Sequence, residues 1–178
     1  MNRKKSSAST TKDLALSGLL SALCFVLMYI CAATEIFDLC AVIVSSAIIV
    51  VSMIEAKGFW PWLIWLVTGT LCLLLIPRID IALEFVLFGG VYPMIKAFIE
   101  KLPKVPAWAL KLVFFNTVFT GWYYLSKLLF ACDPGFDFGV VAYLAANVFF
   151  VLSDVFLSVA AVTYVNKLRP RLGIGKRK

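Results

Sequence analysis

Successive apolar runs of helical length are the feature that most constrains the fold of this chain. Six such runs occur along the 178 residues, and about 20 residues suffice for a helix to span the hydrocarbon core of a bilayer. Hydrophobic residues make up 62% of the sequence and charged residues only 15%, so a soluble domain of this length could not bury its apolar surface. The runs are continuous rather than alternating, which favours a helical bundle over a membrane barrel. We therefore predict an all-α integral membrane protein.

The predicted architecture is a single membrane domain over residues 1–178, with six transmembrane helices. Basic tails flank the helices at residues 1–11 and 167–178. The fourth helix contains the sequence Gly89-Gly90-Val91-Tyr92-Pro93, which predicts an interruption because proline removes a backbone hydrogen bond and bends a helix. The helices are predicted over residues 12–32, 37–54, 60–76, 81–101, 107–131 and 139–166.

The distribution of basic residues predicts the orientation of the helices. Six helices put both termini on one side, and assigning that side to the cytoplasm places fifteen of the 17 Lys and Arg residues inside, Lys96 and Lys111 among them. Only Arg78 and Lys127 remain outside. The positive-inside rule therefore predicts a multi-pass membrane protein with both termini cytoplasmic. Because the bases lie near helix ends and in the tails, they indicate topology rather than binding of nucleic acid.

The first helix carries an unusual number of small residues. Gly18-x-x-x-Ala22 places two of them one turn apart on one face, with Ala15 a turn below, and such a face allows another helix to approach closely. That second helix could belong to a separate protein. It could also belong to this chain, since the small cluster 45–47 of the second helix could fill the same groove. An adjacent face carries Ser17, Ser21 and Cys24.

Polar side chains recur on one face of each of the last two helices. Polar groups inside a bilayer are costly, and they are functional candidates for that reason. If these faces converge with the outer end of the fourth helix, they form a cavity open to the outside with a few polar anchors between aromatic walls, which suits a small organic ligand. The candidate substrate-binding residues are Glu84, Asn116, Trp122, Tyr123, Lys127, Tyr143, Asn147 and Asp154, with Thr120 and Ser158 on the same faces.

Each candidate also has a structural alternative. The Lys127 side chain could extend to the outer interface without a ligand, and Glu84 could pair with Lys127 or Arg78. Asn116 and Asp154 lie at similar depth and could hydrogen-bond each other as part of helix packing. The aromatic candidates of the fifth helix could belong to the outer aromatic belt.

Motifs typical of metal sites, nucleotide binding and hydrolytic catalysis are absent from the sequence, which reduces the number of possible functions. The chain has no histidine, its five cysteines show no CxxC spacing, and it contains no nucleotide-binding loop. Neither Gly-x-Ser-x-Gly nor His-Glu-x-x-His occurs. We therefore expect no cofactor and no bound metal, and a membrane enzyme is the less favoured interpretation.

Taken together, these features resemble the substrate-binding S components of energy-coupling factor (ECF) transporters, which are small six-helix proteins that capture vitamins and other micronutrients. The resemblance rests on the basic N-terminal tail, the small-residue first helix ALSGLLSALCFVLMYI, the length, the orientation and the polar residues on the last three helices. The family's first helix has an Ala-x-x-x-Ala type motif, whereas Gly18 and Ala22 form the pair here.

The resemblance implies that different helices of the chain have different functions. The first helix would dock to a membrane coupling subunit through Ala15, Gly18 and Ala22, and two cytoplasmic ATPases would act through that subunit in a bacterial cytoplasmic membrane. The last three helices would hold one substrate molecule. A pair such as Lys127 with Glu84 would suit a zwitterionic ligand. The alternatives are a non-transporting membrane scaffold or regulatory subunit and, less favoured, a small membrane enzyme.

Overall fold

The computed structural model describes residues 2–34, 38–56, 58–130 and 139–171, and every regular element within these ranges is a helix. Two π-helical turns interrupt the α-helices: Phe85–Gly89 links α4 to α5, and Tyr164–Leu168 links α7 to α8. The α-helices are α1 (Asn2–Thr34), α2 (Asp38–Glu55), α3 (Trp60–Leu75), α4 (Ile79–Glu84), α5 (Tyr92–Ile99), α6 (Lys104–Phe130), α7 (Val140–Thr163) and α8 (Arg169–Arg171).

Several of these helices are suited to a bilayer. Among the described residues, four segments are long and apolar enough to cross a membrane, namely 10–34, 38–55, 79–99 and 140–171, and α3 is apolar but only 16 residues long. The chain is therefore an all-helical protein with the character of a multi-pass membrane protein. The main difference from the predicted boundaries lies in α1, which begins at Asn2 and so includes most of the predicted tail. No glycine or proline precedes Gly18 to end the helix.

Small side chains hold the first three helices together. Cys24 Sγ lies 3.7 Å from the carbonyl oxygen of Ser45, and Thr68 Oγ1 donates to the carbonyl oxygen of Ser21 at 3.4 Å. Ser17 is buried on the same face of α1. The face of α1 that carries serine and cysteine is therefore the one that packs inside the protein.

The predicted interruption near Pro93 is confirmed. The α-helix ends at Glu84, a π-helical turn follows, and α-helical geometry resumes at Tyr92 with Pro93 in the first turn of α5. Proline is well tolerated there because the first N–H groups of a helix have no intrahelical partner. A π-helical turn inserts extra backbone and is frequent at functional sites.

Close packing explains the two glycines of this interruption. A Cβ atom on Gly90 would lie 2.1 Å from Cδ1 of Trp65, which is too close for any side chain. The Trp65 indole is fixed because its Nε1 donates to the carbonyl oxygen of Val86 at 3.0 Å. The carbonyl oxygen of Gly89 accepts a hydrogen bond from Ser46 Oγ at 2.6 Å. Side chains of α2 and α3 thus satisfy backbone groups that the π-helical turn leaves open.

Ion pairs mark the two ends of the bundle. At one end, Arg78 bridges Asp38 at 2.6 Å and Asp80 at 2.8 Å, and we call this the Arg78 end. At the opposite end of α2, Glu55 pairs with Arg169 at 3.0 Å, and we call this the Glu55 end. The hydrogen bond that Arg78 donates to Asp80 raises the pKa of the guanidinium above its ordinary value, so Arg78 remains charged at any physiological pH.

Candidate substrate cavity and buried charge network

A cavity of about 640 Å³ opens near the Arg78 end, between α2, α4, α6 and α7. Its size falls within the range of about 300–1,000 Å³ that is typical of small-molecule sites. Nearly all of the wall is apolar or aromatic. The lining residues are Leu39, Val42, Ile43, Glu84, Leu87, Phe88, Phe115, Val118, Phe119, Trp122, Val141, Ala142, Ala145, Ala146 and Phe149.

Aromatic rings from α6 form one wall of this cavity. Phe115, Phe119 and Trp122 follow one another at helical spacing, and the Phe119 and Trp122 rings stack with centroids 6.2 Å apart. Trp122 is anchored because its Nε1 donates to the carbonyl oxygen of Asp80 at 3.3 Å. Phe88 contributes a further ring, edge-on to Phe115 at 5.5 Å. The wall is therefore a set of mutually supported rings rather than isolated side chains.

Glu84 is the one ionisable side chain among the described residues that line the cavity. The part of the chain that the structure describes offers its carboxylate neither a hydrogen bond nor an ion pair. Arg78, one candidate partner, is committed to Asp38 and Asp80. Lys127, the other, is exposed and does not line the cavity. The alternative pairings of Glu84 raised from the sequence are therefore not observed.

The polar faces of α6 and α7 do converge, but their side chains form hydrogen bonds with each other. Asn116 and Asn147 exchange two side-chain hydrogen bonds of 3.0 Å, and Thr120 Oγ1 lies 2.7 Å from Tyr143 Oη. Asn116, Thr120 and Tyr143 line a separate groove, which shares no lining residue with the cavity, and Asn147 lines neither. Their geometry indicates helix packing, and the alternative hydrogen bond between Asn116 and Asp154 does not form.

The two remaining candidates of α6 lie away from the cavity. The Tyr123 ring contacts that of Tyr124 edge-on, with centroids 5.6 Å apart, and Lys127 is exposed. The structure thus brings Glu84 and Trp122 together at the cavity and leaves the other predicted binding residues outside its lining.

Asp154 belongs to a second polar site, a buried charge network that sequence reasoning did not identify. Its carboxylate accepts hydrogen bonds from Tyr92 Oη, from Lys96 Nζ at 2.5 Å and from Lys111 Nζ at 3.1 Å. The side chains of Lys96, Lys111 and Asp154 are only 8%, 5% and 4% exposed. Glu100, which is half exposed, lies 3.3 Å from Lys96 and 3.0 Å from Lys111. The two buried ammonium groups are therefore balanced in charge by one buried carboxylate, Asp154, and one half-exposed carboxylate, Glu100.

This network corrects the interpretation of two lysines. Lys96 and Lys111 were counted only as cytoplasmic bases, yet both turn inward and link α5 and α6 to α7. A signal was present in the sequence, since Tyr92, Lys96 and Glu100 recur every four residues and so share one helical face.

Aromatic packing separates the network from the cavity. Phe88, a lining residue, stacks on Tyr92 with centroids 5.0 Å apart, and Phe115 stacks on Phe150 at 4.5 Å. Tyr92 and Phe150 do not line the cavity, and both are fully buried. The Tyr92 hydroxyl then reaches Asp154 on the far side. A layer of rings thus lies between the open cavity and the buried charges.

The predicted partner surface on α1 faces outward. Ala15, Gly18 and Ala22 are all exposed, and a Cβ atom added to Gly18 would meet no atom within 4 Å. The alternative, in which the cluster 45–47 fills this groove, is not observed. Ser45 packs instead against Cys24 on the inner face of α1.

Comparisons of this chain with protein-family models, with curated proteins and with solved structures give no match.

Proposed function

We propose that the protein is the substrate-capture subunit of an ECF-type uptake transporter for a vitamin-like small molecule. The observation that carries this proposal is the cavity at the Arg78 end, which combines a suitable volume, aromatic walls and the carboxylate of Glu84. Apolar walls with very few polar groups are the usual composition of a site for a small organic ligand. Glu84 and Trp122 are the predicted binding residues that we retain for this site.

The surface of α1 supports the second part of the proposal, docking to a membrane coupling subunit that recruits two cytoplasmic ATPases. A capture protein without a nucleotide-binding loop needs such a partner to drive release. In lipid, close contact between helices depends on small residues that let two backbones approach. The exposed stripe of Ala15, Gly18 and Ala22 provides such a surface on a side of α1 that the described residues leave uncovered.

The proposal includes six membrane spans with both termini in the cytoplasm of a bacterial cell. In this orientation the Arg78 end faces outward, so the cavity is accessible to substrate from outside, and the Glu55 end faces the cytoplasm. The sequence near the Glu55 end is rich in lysine and arginine, as the positive-inside rule requires.

A non-transporting scaffold or regulatory subunit is the second candidate, because the exposed small-residue stripe fits that function equally well. The two candidates differ in their need for the cavity. A scaffold binds its partner whether or not the cavity is open, whereas a capture subunit loses uptake when the cavity is filled.

Replacing Gly18 with leucine tests the proposal. Gly121→Leu on α6 is a matched control, because Gly121 is also helical and exposed, with no atom within 4 Å of an added Cβ. Both variants should fold. We expect Gly18→Leu to abolish uptake and co-purification of the coupling subunit while the isolated protein still retains its small molecule, as measured by native mass spectrometry. Uptake that survives Gly18→Leu would contradict docking through this stripe.

A further inference from the structure

The charge of the cavity points to the class of ligand, an inference that rests on the proposed capture function. Of the described lining residues, Glu84 alone is ionisable, and the rest of the wall is apolar apart from the Trp122 indole. The Trp122 N–H is already donated to the carbonyl oxygen of Asp80. A ligand in this cavity therefore meets one strong hydrogen-bond acceptor and no described cation.

Glu84 lacks a counter-ion within the described protein, although a basic residue is close in sequence. Arg78 pairs with two other carboxylates, with Asp38 at 2.6 Å and with Asp80 at 2.8 Å. It forms no ion pair with Glu84 within the described residues. A carboxylate beside apolar walls is costly unless a positive charge compensates it. A cationic ligand would supply that charge, whereas an anionic ligand would be repelled.

The aromatic walls favour the same kind of ligand. Phe88, Phe115, Phe119 and Trp122 line the same cavity as Glu84. Ring faces attract organic cations because the electron-rich face of an aromatic ring carries partial negative charge. The rings also provide a large apolar surface for the uncharged part of the ligand. Since Phe119 and Trp122 are stacked, this surface is already formed without a ligand.

We propose that the cavity binds an organic monocation with an apolar or aromatic body, with its cationic nitrogen at Glu84 and its body against the rings of α6. This class replaces the zwitterionic ligand expected from a Lys127–Glu84 pair, because Lys127 lies outside the cavity lining.

Three probes of similar shape test the role of charge. The purified full-length chain in detergent is titrated by calorimetry with 1-naphthylmethylamine, which is a cation at pH 7, with neutral 1-naphthylmethanol and with anionic 1-naphthoate. We expect the cation to bind at least tenfold more tightly than the alcohol, and naphthoate to bind more weakly than both. Equal affinity for the cation and the alcohol, or no binding of the cation, would overturn the proposal.

Variants locate the charge selection. Glu84→Gln should remove the preference for the cation while leaving the affinity for the alcohol within about twofold. Glu100→Gln, which changes a half-exposed carboxylate of the charge network outside the cavity, should leave the preference intact. Ala142→Phe fills part of the cavity and should weaken binding of both probes. A cation preference that persists in Glu84→Gln would overturn the assignment of Glu84.

These results separate the ligand class from the proposed function. If the alcohol binds as tightly as the cation, the ligand class is wrong, and the Gly18→Leu experiment still decides capture and docking. If the cation is selected but uptake is unaffected by Gly18→Leu, the cavity assignment holds and docking through α1 fails. A phospholipid that co-purifies in the cavity and that neither probe displaces would overturn the ligand class as well.

Discussion

Asp154→Asn is the substitution from which we expect the largest loss of stability. The carboxylate is nearly inaccessible and receives hydrogen bonds from three donors, two of which are ammonium groups. Asparagine keeps the size of the side chain but removes the charge and turns an N–H₂ group toward Lys96 or Lys111. These lysines would then share only the half-exposed Glu100 as a counter-ion.

The structure allows the size of this effect to be estimated. Removal of one partner from a buried ion pair costs about 3–5 kcal/mol, because the remaining charge stays buried without compensation. For a chain of 150–250 residues, each kcal/mol lowers the melting temperature by about 2–4 °C. We therefore expect Asp154→Asn to melt about 6–20 °C below the wild-type protein.

A thiol-reactive fluorescent dye provides a suitable assay. Cys24 and Cys72 are both fully buried in the helix core, so the dye reaches them only on unfolding, while the exposed Cys40 and the partly exposed Cys31 contribute to the baseline. Asp80→Asn is the matched control, since Asp80 pairs with Arg78 at a partly exposed site where an ion pair contributes about 0–1 kcal/mol. If Asp154→Asn melts within 2 °C of the Asp80→Asn control, our account of the network is wrong.

Two further substitutions test the packing around the site in the same melting assay. Gly90→Ala should lower stability by about 1–3 kcal/mol, because its Cβ would displace the Trp65 indole and break the hydrogen bond to Val86, and an unchanged melting temperature would contradict this role of Gly90. Asn116→Leu should cost about 1–3 kcal/mol by leaving the Asn147 amide without its partner. A neutral result would mean that the amide pair does not contribute to packing.

Local sequence features predicted the helical elements well. Hydropathy sets the positions of the helices because each apolar run must satisfy its backbone hydrogen bonds internally. The interruption before Pro93 was equally clear, since glycine and proline act within a few residues of where they stand. The start of α1 was not predicted, because a polar segment without glycine or proline carries no signal that ends a helix.

The site was predicted only in part, for a geometric reason. Asn116 and Phe115 are neighbours in sequence, yet they point about 100° apart on α6, at 3.6 residues per turn. The polar face of α6 was predicted to line the cavity, but the aromatic face lines it and the polar face packs against α7. Only the rotation of α6 relative to its neighbours decides between these faces, and no local pattern encodes it.

The same limit applied to the charge network. Lys96 and Lys111 have the sequence context of cytoplasmic anchors, and their burial depends on Asp154, which is more than 40 residues away. Conversely, the direction in which Gly18 faces was left open by the sequence. It followed once Ser17, Ser21 and Cys24 were seen to occupy the inner face of α1.

Native mass spectrometry of the full-length protein released from detergent tests the central claim most directly. Our account predicts one small organic cation bound per chain in the wild-type protein, and loss of that molecule in the cavity-filling variant Ala142→Phe. Repeated ligand-free preparations, together with no stabilisation of the wild-type protein by any member of a panel of cationic and neutral vitamins, would contradict substrate capture by this cavity.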